Sequence, residues 1–237
     1  AWNRGAYLVE GLGHCNECHA ARDAWGGTPR DAALTGGRIP MQNWYAPDLS
    51  SALNGGLEGW SAQDIVDFLK TGQSSRGVAF GPMASVVSGS TQYFTDTDLR
   101  AVATYLRSLP ARRSPVTAQA LFDTRASVEF GGKVYARHCA DCHGDDGEGV
   151  AGVYPPLVRN SSVTEPTGIN ATRMTLLGGF APVTAANQRP YSMPPFAQVL
   201  SDEEVAAVVS YIRRSWVNHS SGVRAREVLQ LRHTPSD

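Results

Sequence analysis

The sequence predicts an all-α protein made of two similar tandem halves that a linker joins. The pattern Cys-x-x-Cys-His occurs once in each half, and each half closes with an amphipathic segment of matching sequence. We find no convincing strand, because the clear apolar patterns have the three- and four-residue spacing of helices. We therefore assign residues 1–112 to the first half, 113–127 to the linker and 128–237 to the second half.

Each half is expected to begin with a helix that runs into its Cys-x-x-Cys-His motif. Gly131 and Tyr135 precede the second motif, and Tyr7 and Gly11 take the corresponding places before the first, with the small and the aromatic residue interchanged. Because glycine has no side chain, it allows a second helix to approach closely. We expect the first and last helices of each half to cross at these positions.

The helices that close the two halves are the clearest part of the repeat. Residues 96–107 match residues 202–213, with apolar positions on one helical face. Thr95 and Ser201 each stand three residues before an acidic residue, which predicts a capping box at both helix starts.

Two further helices are predicted between the opening and closing ones. Ser61 is expected to cap a helix that ends near Gly72, and a shorter helix is expected over residues 172–177, ending at Gly178. The remaining segments are rich in glycine and proline and are predicted to be loops.

The two Cys-x-x-Cys-His motifs predict covalent attachment of two haem c groups. Two thiols at this spacing can form thioethers with the haem vinyl groups, and the histidine that follows can bind the iron. The predicted attachment residues and iron ligands are Cys15, Cys18 and His19 in the first half and Cys139, Cys142 and His143 in the second. Zinc would need further N or S ligands near each motif, and a thioredoxin-like dithiol would need a strand-to-helix setting; neither is present.

Methionine is the expected ligand on the opposite side of each iron. Met83 and Met193 take similar places in the repeat, each beside a proline and shortly before the closing helix. Proline stiffens a loop, so it can hold a thioether near the iron at a small loss of entropy. Met174 is expected to pack in the core, whereas Met41, in a loop near Trp44, competes with Met83.

Other residues are predicted to surround the haem groups. Pro47 and Pro156 take comparable loop positions, and their carbonyl oxygens are expected to accept the second ring N–H of the proximal histidine in their own half. The residues expected to bind the haem propionates are Arg38, Asn43, Trp44 and Tyr45 in the first half and Arg159 in the second.

Charge and composition exclude several classes of function. The chain has 21 basic and 22 acidic side chains, so a net charge of −1 gives no electrostatic basis for binding nucleic acid or anionic lipid. No apolar run is long enough for a transmembrane segment, and all four cysteines belong to the two motifs.

Thioether attachment takes place outside the bacterial cytoplasm, and the chain starts without methionine. We expect a mature periplasmic chain, peripheral to the inner membrane.

The segments around the motifs resemble the cytochrome c subunits of bacterial membrane-bound dehydrogenases for alcohols, aldehydes or gluconate. The segments that carry the resemblance are 5–15, 46–49, 59–61, 68–72 and 82–84, then 139–149, 155–157, 193–194 and 211–216. Many members of that family have three haem domains, and this chain resembles the second and third. The resemblance implies two tandem cytochrome c-like haem domains. It does not extend to the first domain or the membrane-associating tail, which leaves two alternatives open: a two-haem relative, or a part of a longer three-haem chain.

The predicted function is electron transfer rather than catalysis. We expect a periplasmic dehydrogenase as electron donor and quinone, an oxidase or another cytochrome as acceptor. No carboxylate pair or nucleophile–base arrangement indicates a catalytic site. Two alternatives stay open: a dihaem enzyme, such as a peroxidase or a sulfur-compound dehydrogenase, and a free electron shuttle without a dedicated dehydrogenase.

Overall fold

The computed structural model describes residues 1–50, 56–110 and 125–234 of the chain. In these ranges the chain is mostly helical, which confirms the predicted predominance of helices. Three two-residue antiparallel hairpins were not predicted. The predicted linker lies largely outside the described residues, and the helix that opens the second half begins at Arg125, three residues before the predicted boundary at 128.

The described residues of the first half contain four α-helices and two hairpins. The helices are α1 (Trp2–Ala6), α2 (Ala62–Thr71), α3 (Pro82–Gly89) and α4 (Asp96–Ser108). The strands are β1 (Gly37–Arg38), β2 (Tyr45–Ala46), β3 (Gln73–Ser74) and β4 (Gly77–Val78), with β1 paired to β2 and β3 to β4. The predicted end of α2 is confirmed: Gly72 takes a left-handed conformation with φ 79° and closes the helix.

The second half contains six described helices and one hairpin. The helices are α5 (Arg125–His138), α6 (Ala140–His143), α7 (Ser161–Thr164), α8 (Ile169–Leu177), α9 (Asp202–Arg214) and α10 (Ala225–Arg232). The strands β5 (Gly179–Phe180) and β6 (Ser192–Met193) pair so that Met193 lies opposite Gly179. Helix α8 ends at Leu177 as predicted but begins three residues earlier than expected.

The two predicted capping boxes differ in completeness. The Ser201 hydroxyl accepts the N–H of Glu204 at 3.2 Å, and the Glu204 carboxylate accepts the N–H of Ser201 at 2.9 Å. Thr95 accepts the N–H of Asp98 at 3.1 Å, but the Asp98 carboxylate instead accepts from the guanidinium of Arg4 at 2.7 Å. The acidic residue of this box therefore connects α4 to α1.

The opening and closing helices of each half cross at a glycine. A Cβ built on Gly131 would lie 2.7 Å from the carbonyl carbon of Ala207 in α9, which agrees with the predicted crossing in the second half. A Cβ built on Gly5 would lie 2.7 Å from the carbonyl carbon of Ala101 in α4. Glycine is therefore required at Gly5 and Gly131 by the approach of the second helix.

The predicted crossing at Gly11 is wrong: the crossing residue is Gly5, and a π-helical stretch shifts its spacing from the motif by two residues. Helix α1 continues directly into a π-helix over Tyr7–Leu12, and Gly11 is exposed on it. Gly5 stands ten residues before its motif, whereas Gly131 stands only eight residues before its own. Because a π-helix holds more residues per turn than an α-helix, counting back with α-helical spacing misplaces the crossing residue.

Each half has an apolar core of its own. The residues at the centre of the first core are Leu8, Val9, Ile65, Leu99, Val102 and Leu106. Those at the centre of the second are Val134, Tyr135, Val205, Val208, Val209 and Ile212. Both cores lie beneath the crossing of the opening and closing helices, so the end of each opening helix, where the motif starts, is fixed against a rigid support.

The two halves pack against each other along α8 and the loop after β5. Asn170 in α8 makes two hydrogen bonds to the backbone of Tyr45 in β2. The Thr184 hydroxyl donates to the carbonyl oxygen of Thr71 at 3.3 Å. Among the described helices, none combines the length and the apolar character that crossing a membrane requires.

Candidate haem sites

The second motif forms a single helical turn at the end of α5. The N–H of His143 donates to the carbonyl oxygen of Cys139 at 2.9 Å, so this turn brings both thiols and the imidazole to one region. His143 is buried, and its Nδ1 lies 3.0 Å from the carbonyl oxygen of Pro155. Because a carbonyl can only accept, Nδ1 carries the hydrogen and Nε2 keeps a lone pair for a metal.

The predicted partner of His143, the carbonyl of Pro156, is wrong by one residue. The Pro156 carbonyl accepts from Nδ2 of Asn160 at 2.9 Å, which ties it to the start of α7. Successive carbonyl groups in an extended segment point in different directions. Only the Pro155 carbonyl therefore faces the imidazole.

A cleft lies beside the second motif, and its walls are predominantly apolar. His143, Cys139 and Cys142 line it together with Met193. The cleft opens to solvent, and its empty space, the open part included, amounts to about 1260 Å³. An imidazole, two thiols and a thioether around an apolar cleft fit a haem that is attached through the thiols.

Two observations on this cleft were missed from the sequence. Met174, which was expected to pack in the core, also lines the cleft, so two thioethers are available there. The first half contributes a wall as well, through the last residue of β4 and the two residues that follow it, Val78, Ala79 and Phe80. No local pattern indicates a wall that comes from the other half of the chain.

The first motif has the same local geometry as the second. The N–H of His19 donates to the carbonyl oxygen of Cys15 at 2.9 Å, and Nδ1 of the half-buried His19 lies 2.7 Å from the carbonyl oxygen of Pro47. This is the contact that the sequence predicts for Pro47. Nδ1 therefore carries the hydrogen here too, and Nε2 remains available to a metal.

Burial keeps both imidazoles in the neutral form that binds metals. Desolvation lowers the pKa of His19 and of His143, and the hydrogen bonds to Pro47 and Pro155 oppose this effect only in part. A neutral imidazole with its hydrogen on Nδ1 is the form that a haem iron requires.

The first thiol of each motif is protonated, and the four motif cysteines form no disulfide. Burial raises the pKa of Cys15 and of Cys139 to about 11, and all four cysteines are free. A catalytic dithiol has a first cysteine whose pKa is lowered, so the two motifs differ from redox-active dithiols. Within the described residues, no group of three or more His, Cys, Asp or Glu is placed to hold a metal ion.

The other residues predicted around the first haem lie in several places. Trp44 and Tyr45 are buried, whereas Arg38, opposite Tyr45 in the hairpin β1–β2, is exposed. The ring centres of Trp44 and Phe80 are 5.6 Å apart. The guanidinium carbon of Arg173, from α8, lies 4.7 Å from the centre of the Trp44 ring. Trp44 and Tyr45 thus face the second half. Their roles toward the propionates, and those of Arg38, Asn43 and the exposed Arg159, stay predictions.

Met83 lies in the first turn of α3 rather than in an irregular segment. It is partly buried and follows Pro82 at the helix start, while Gly81 packs its backbone against the ring of Trp44. Its competitor Met41 is 97% exposed at a loop position. The binding of iron by Met83 stays a prediction, and the exposure of Met41 makes that residue a suitable control.

Comparison with known proteins gives matches to both halves of the chain. Residues 128–216 match the family model described as cytochrome c. The chain is 40% identical to the "Alcohol dehydrogenase (quinone), cytochrome c subunit" of Gluconobacter oxydans (strain 621H), over 98% of this chain and 51% of that protein. It is 35% identical to the "Gluconate 2-dehydrogenase cytochrome c subunit" of Pantoea cypripedii, over 97% of this chain and 55% of that protein.

A shorter relative matches nearly over its whole length. The chain is 34% identical to "Cytochrome c-552" of Thermus thermophilus, over 43% of this chain and 83% of that protein. By contrast, the chain spans about half the length of the two dehydrogenase subunits.

Proposed function

Because the chain belongs to the cytochrome c family, we propose that it is a dihaem electron-transfer protein with one haem c at each Cys-x-x-Cys-His motif. The observation that carries this proposal is the shared geometry of the motifs. In both, the histidine N–H bonds the first cysteine carbonyl at 2.9 Å, and Nδ1 faces a proline carbonyl. The two halves are then tandem cytochrome c-like domains, each with its own core.

The residues of the chain have distinct roles in this proposal. His19 and His143 bind the two irons through Nε2, and Met83 and Met193 complete the coordination. The carbonyl groups of Pro47 and Pro155 fix the orientation of the imidazole rings and raise their basicity. When bound, each haem supplies a one-electron iron couple.

Two thioether ligands favour relay of electrons over catalysis. A methionine ligand raises the reduction potential of a haem relative to a second histidine, and it leaves no position open to a substrate. The predominantly apolar lining of the second cleft supports the proposal further, since it keeps water away from the iron.

We propose that the donor is a dehydrogenase, as the names of the relatives suggest. The acceptor is then quinone, an oxidase or another cytochrome, and the location is the periplasm, at the surface of the inner membrane. Co-purification of the chain with a dehydrogenase from its native source tests the donor. Isolation of the haem-loaded chain alone, from a source that contains such a dehydrogenase, would instead favour a free shuttle.

Carbon monoxide binding to the ferrous protein tests the proposed coordination. Neither haem of the wild type should bind carbon monoxide readily at neutral pH, because both sixth positions are filled. Met83→Ala and Met193→Ala should each remove the thioether ligand of one haem. That haem should then bind carbon monoxide and lose its sulfur-to-iron charge-transfer band. Met41→Ala is the matched control and should change neither. Ready binding by the wild type would favour a dihaem enzyme over an electron carrier.

A further inference from the structure

A buried asparagine of the second half holds a backbone segment of the first half. Nδ2 of Asn170 donates to the carbonyl oxygen of Tyr45 at 2.7 Å, and Oδ1 accepts the N–H of Tyr45 at 3.0 Å. Asn170 is 2% exposed and Tyr45 is 3% exposed, so water does not compete for these bonds. The amide takes the place that a neighbouring strand would take on the free edge of β2.

Asn170 is itself held firmly at the start of α8. Its backbone N–H donates to Oε1 of the fully buried Glu165 at 3.3 Å, and Oε2 of the same carboxylate accepts the N–H of Thr167 at 2.6 Å. Three residues further along α8, the guanidinium of Arg173 lies over the ring of Trp44, the neighbour of Tyr45. Asn170 and Arg173 of the second half therefore contact two consecutive residues of the first half, Tyr45 and Trp44.

The segment that Asn170 holds leads directly to the first haem site. Pro47 stands two residues after Tyr45, and its carbonyl oxygen lies 2.7 Å from Nδ1 of His19. In an extended strand, fixing the N–H and the C=O of one residue limits the movement of the residues beside it. The contact between the halves therefore lies two residues from the carbonyl that faces His19.

We propose that Asn170 is a positioning residue for the first haem, although it belongs to the half that binds the second. It fixes the β2 segment and thereby the hydrogen bond that orients His19 and raises its basicity. This inference rests on the proposed function, since it requires a haem at the first motif. Loss of the hydrogen bond makes the imidazole less basic and stabilises the ferric iron less, so the potential of the first haem should rise.

The test compares Asn170→Leu with Asn218→Leu in the haem-loaded chain. Leucine has the same number and branching of side-chain heavy atoms as asparagine but makes no hydrogen bond. Asn218 is the matched control, because its buried amide also bonds the backbone, accepting the N–H of Arg159 and donating to the carbonyl of Ile212, but within the second half. Asn170→Ala is the second variant, which separates the loss of the hydrogen bonds from any effect of the added methyl groups.

Two readouts are measured on each variant. Spectroelectrochemical titration gives both haem potentials, and a variant with Cys15→Ser and Cys18→Ser identifies the second haem as the remaining couple. Hydrogen exchange followed by mass spectrometry gives the protection of the Tyr45 amide. The amide of Ile39, which donates to the Trp44 carbonyl at 2.8 Å within the hairpin, is the internal reference.

Both Asn170 variants should speed exchange at Tyr45 about tenfold relative to Ile39, as expected for the loss of a buried hydrogen bond. They should also shift the redox equilibrium of the first haem at least threefold toward the reduced form, which corresponds to about 28 mV for one electron. Asn218→Leu should leave both the first potential and the Tyr45 amide unchanged.

Three results would overturn the inference: unchanged exchange at Tyr45, faster exchange without a shift of the first potential, or an equal shift in Asn218→Leu. A wild type with a single haem per chain would refute the proposed function itself, and this inference with it. The haem-to-protein ratio of the wild type shows that case before any variant is compared.

Discussion

Gly5→Ala tests whether the close crossing of α1 and α4 supports the first half. A Cβ at Gly5 would lie 2.7 Å from both the carbonyl carbon of Ala101 and the Cβ of Tyr105, about 0.7 Å inside the 3.4 Å at which ordinary contact begins. Two backbones must therefore move apart. Overpacking of this kind typically costs about 1–3 kcal/mol and occasionally more, whereas alanine gains about 1 kcal/mol over glycine in a helix.

For Gly5→Ala we take an overpacking cost of about 3 kcal/mol, because backbone rather than a flexible side chain blocks the methyl group. Subtracting the gain of about 1 kcal/mol for alanine in a helix leaves a net loss of stability of about 2 kcal/mol. For a half of about 100 residues, each kcal/mol corresponds to a shift of about 4–8 °C in Tm. Thermal unfolding of the haem-loaded chain, followed by far-ultraviolet circular dichroism, should therefore show a first transition that is lower by about 10 °C.

Gly11→Ala is the matched control within the same opening segment. Gly11 is exposed, and its nearest neighbour would lie 3.8 Å from an added Cβ, at ordinary contact distance. We expect the Tm of Gly11→Ala to equal or exceed that of the wild type. Equal Tm values for Gly5→Ala and Gly11→Ala would refute the reasoning, and a larger loss in Gly11→Ala would favour the crossing that the sequence predicts.

Two further predictions concern helix caps. Ser201→Ala removes the cap of α9 and should lower the free energy of unfolding by about 1 kcal/mol, measured from the urea midpoint; Ser201→Asp, which can still cap, should restore most of it. Burial raises the pKa of Asp64, but hydrogen bonds from Ser61 and Ser75 outweigh it and hold that pKa below its usual value. The stabilisation is thus present above the unfolded pKa of about 3.9 and is lost as the pH falls through the lowered folded value. The stability difference between the wild type and Asp64→Asn should shrink between pH 7 and pH 3, and a difference independent of pH would contradict this assignment.

The sequence predicts well what is contained in a few neighbouring residues. The start and end of α2 follow from caps at Ser61 and Gly72, and the start of α9 follows from the cap at Ser201. The attachment residues rest on a five-residue pattern and stay a prediction. The carbonyl that faces His143 could not be chosen between two adjacent prolines, because the choice depends on the direction of each peptide group. The π-helix likewise changes the spacing before the first motif without a pattern that reveals it.

Contacts between the halves were beyond prediction for a different reason. Asn170 and Tyr45 are 125 residues apart, and a single amide that bonds a backbone leaves no periodic signal in either segment. The same holds for Phe80 at the second cleft. Such contacts depend on how the two folded halves pack against each other. The sequence pattern within each half does not encode that packing.

The central claim is that both motifs carry covalent haem, and intact-mass spectrometry of the denatured chain tests it most directly. The chain should be expressed with a cytochrome c maturation system. The wild type should then show the mass of the polypeptide plus two haem groups. The paired variants Cys15→Ser with Cys18→Ser, and Cys139→Ser with Cys142→Ser, should each retain one. A fully matured wild type that carries a single haem, or none, would contradict the account.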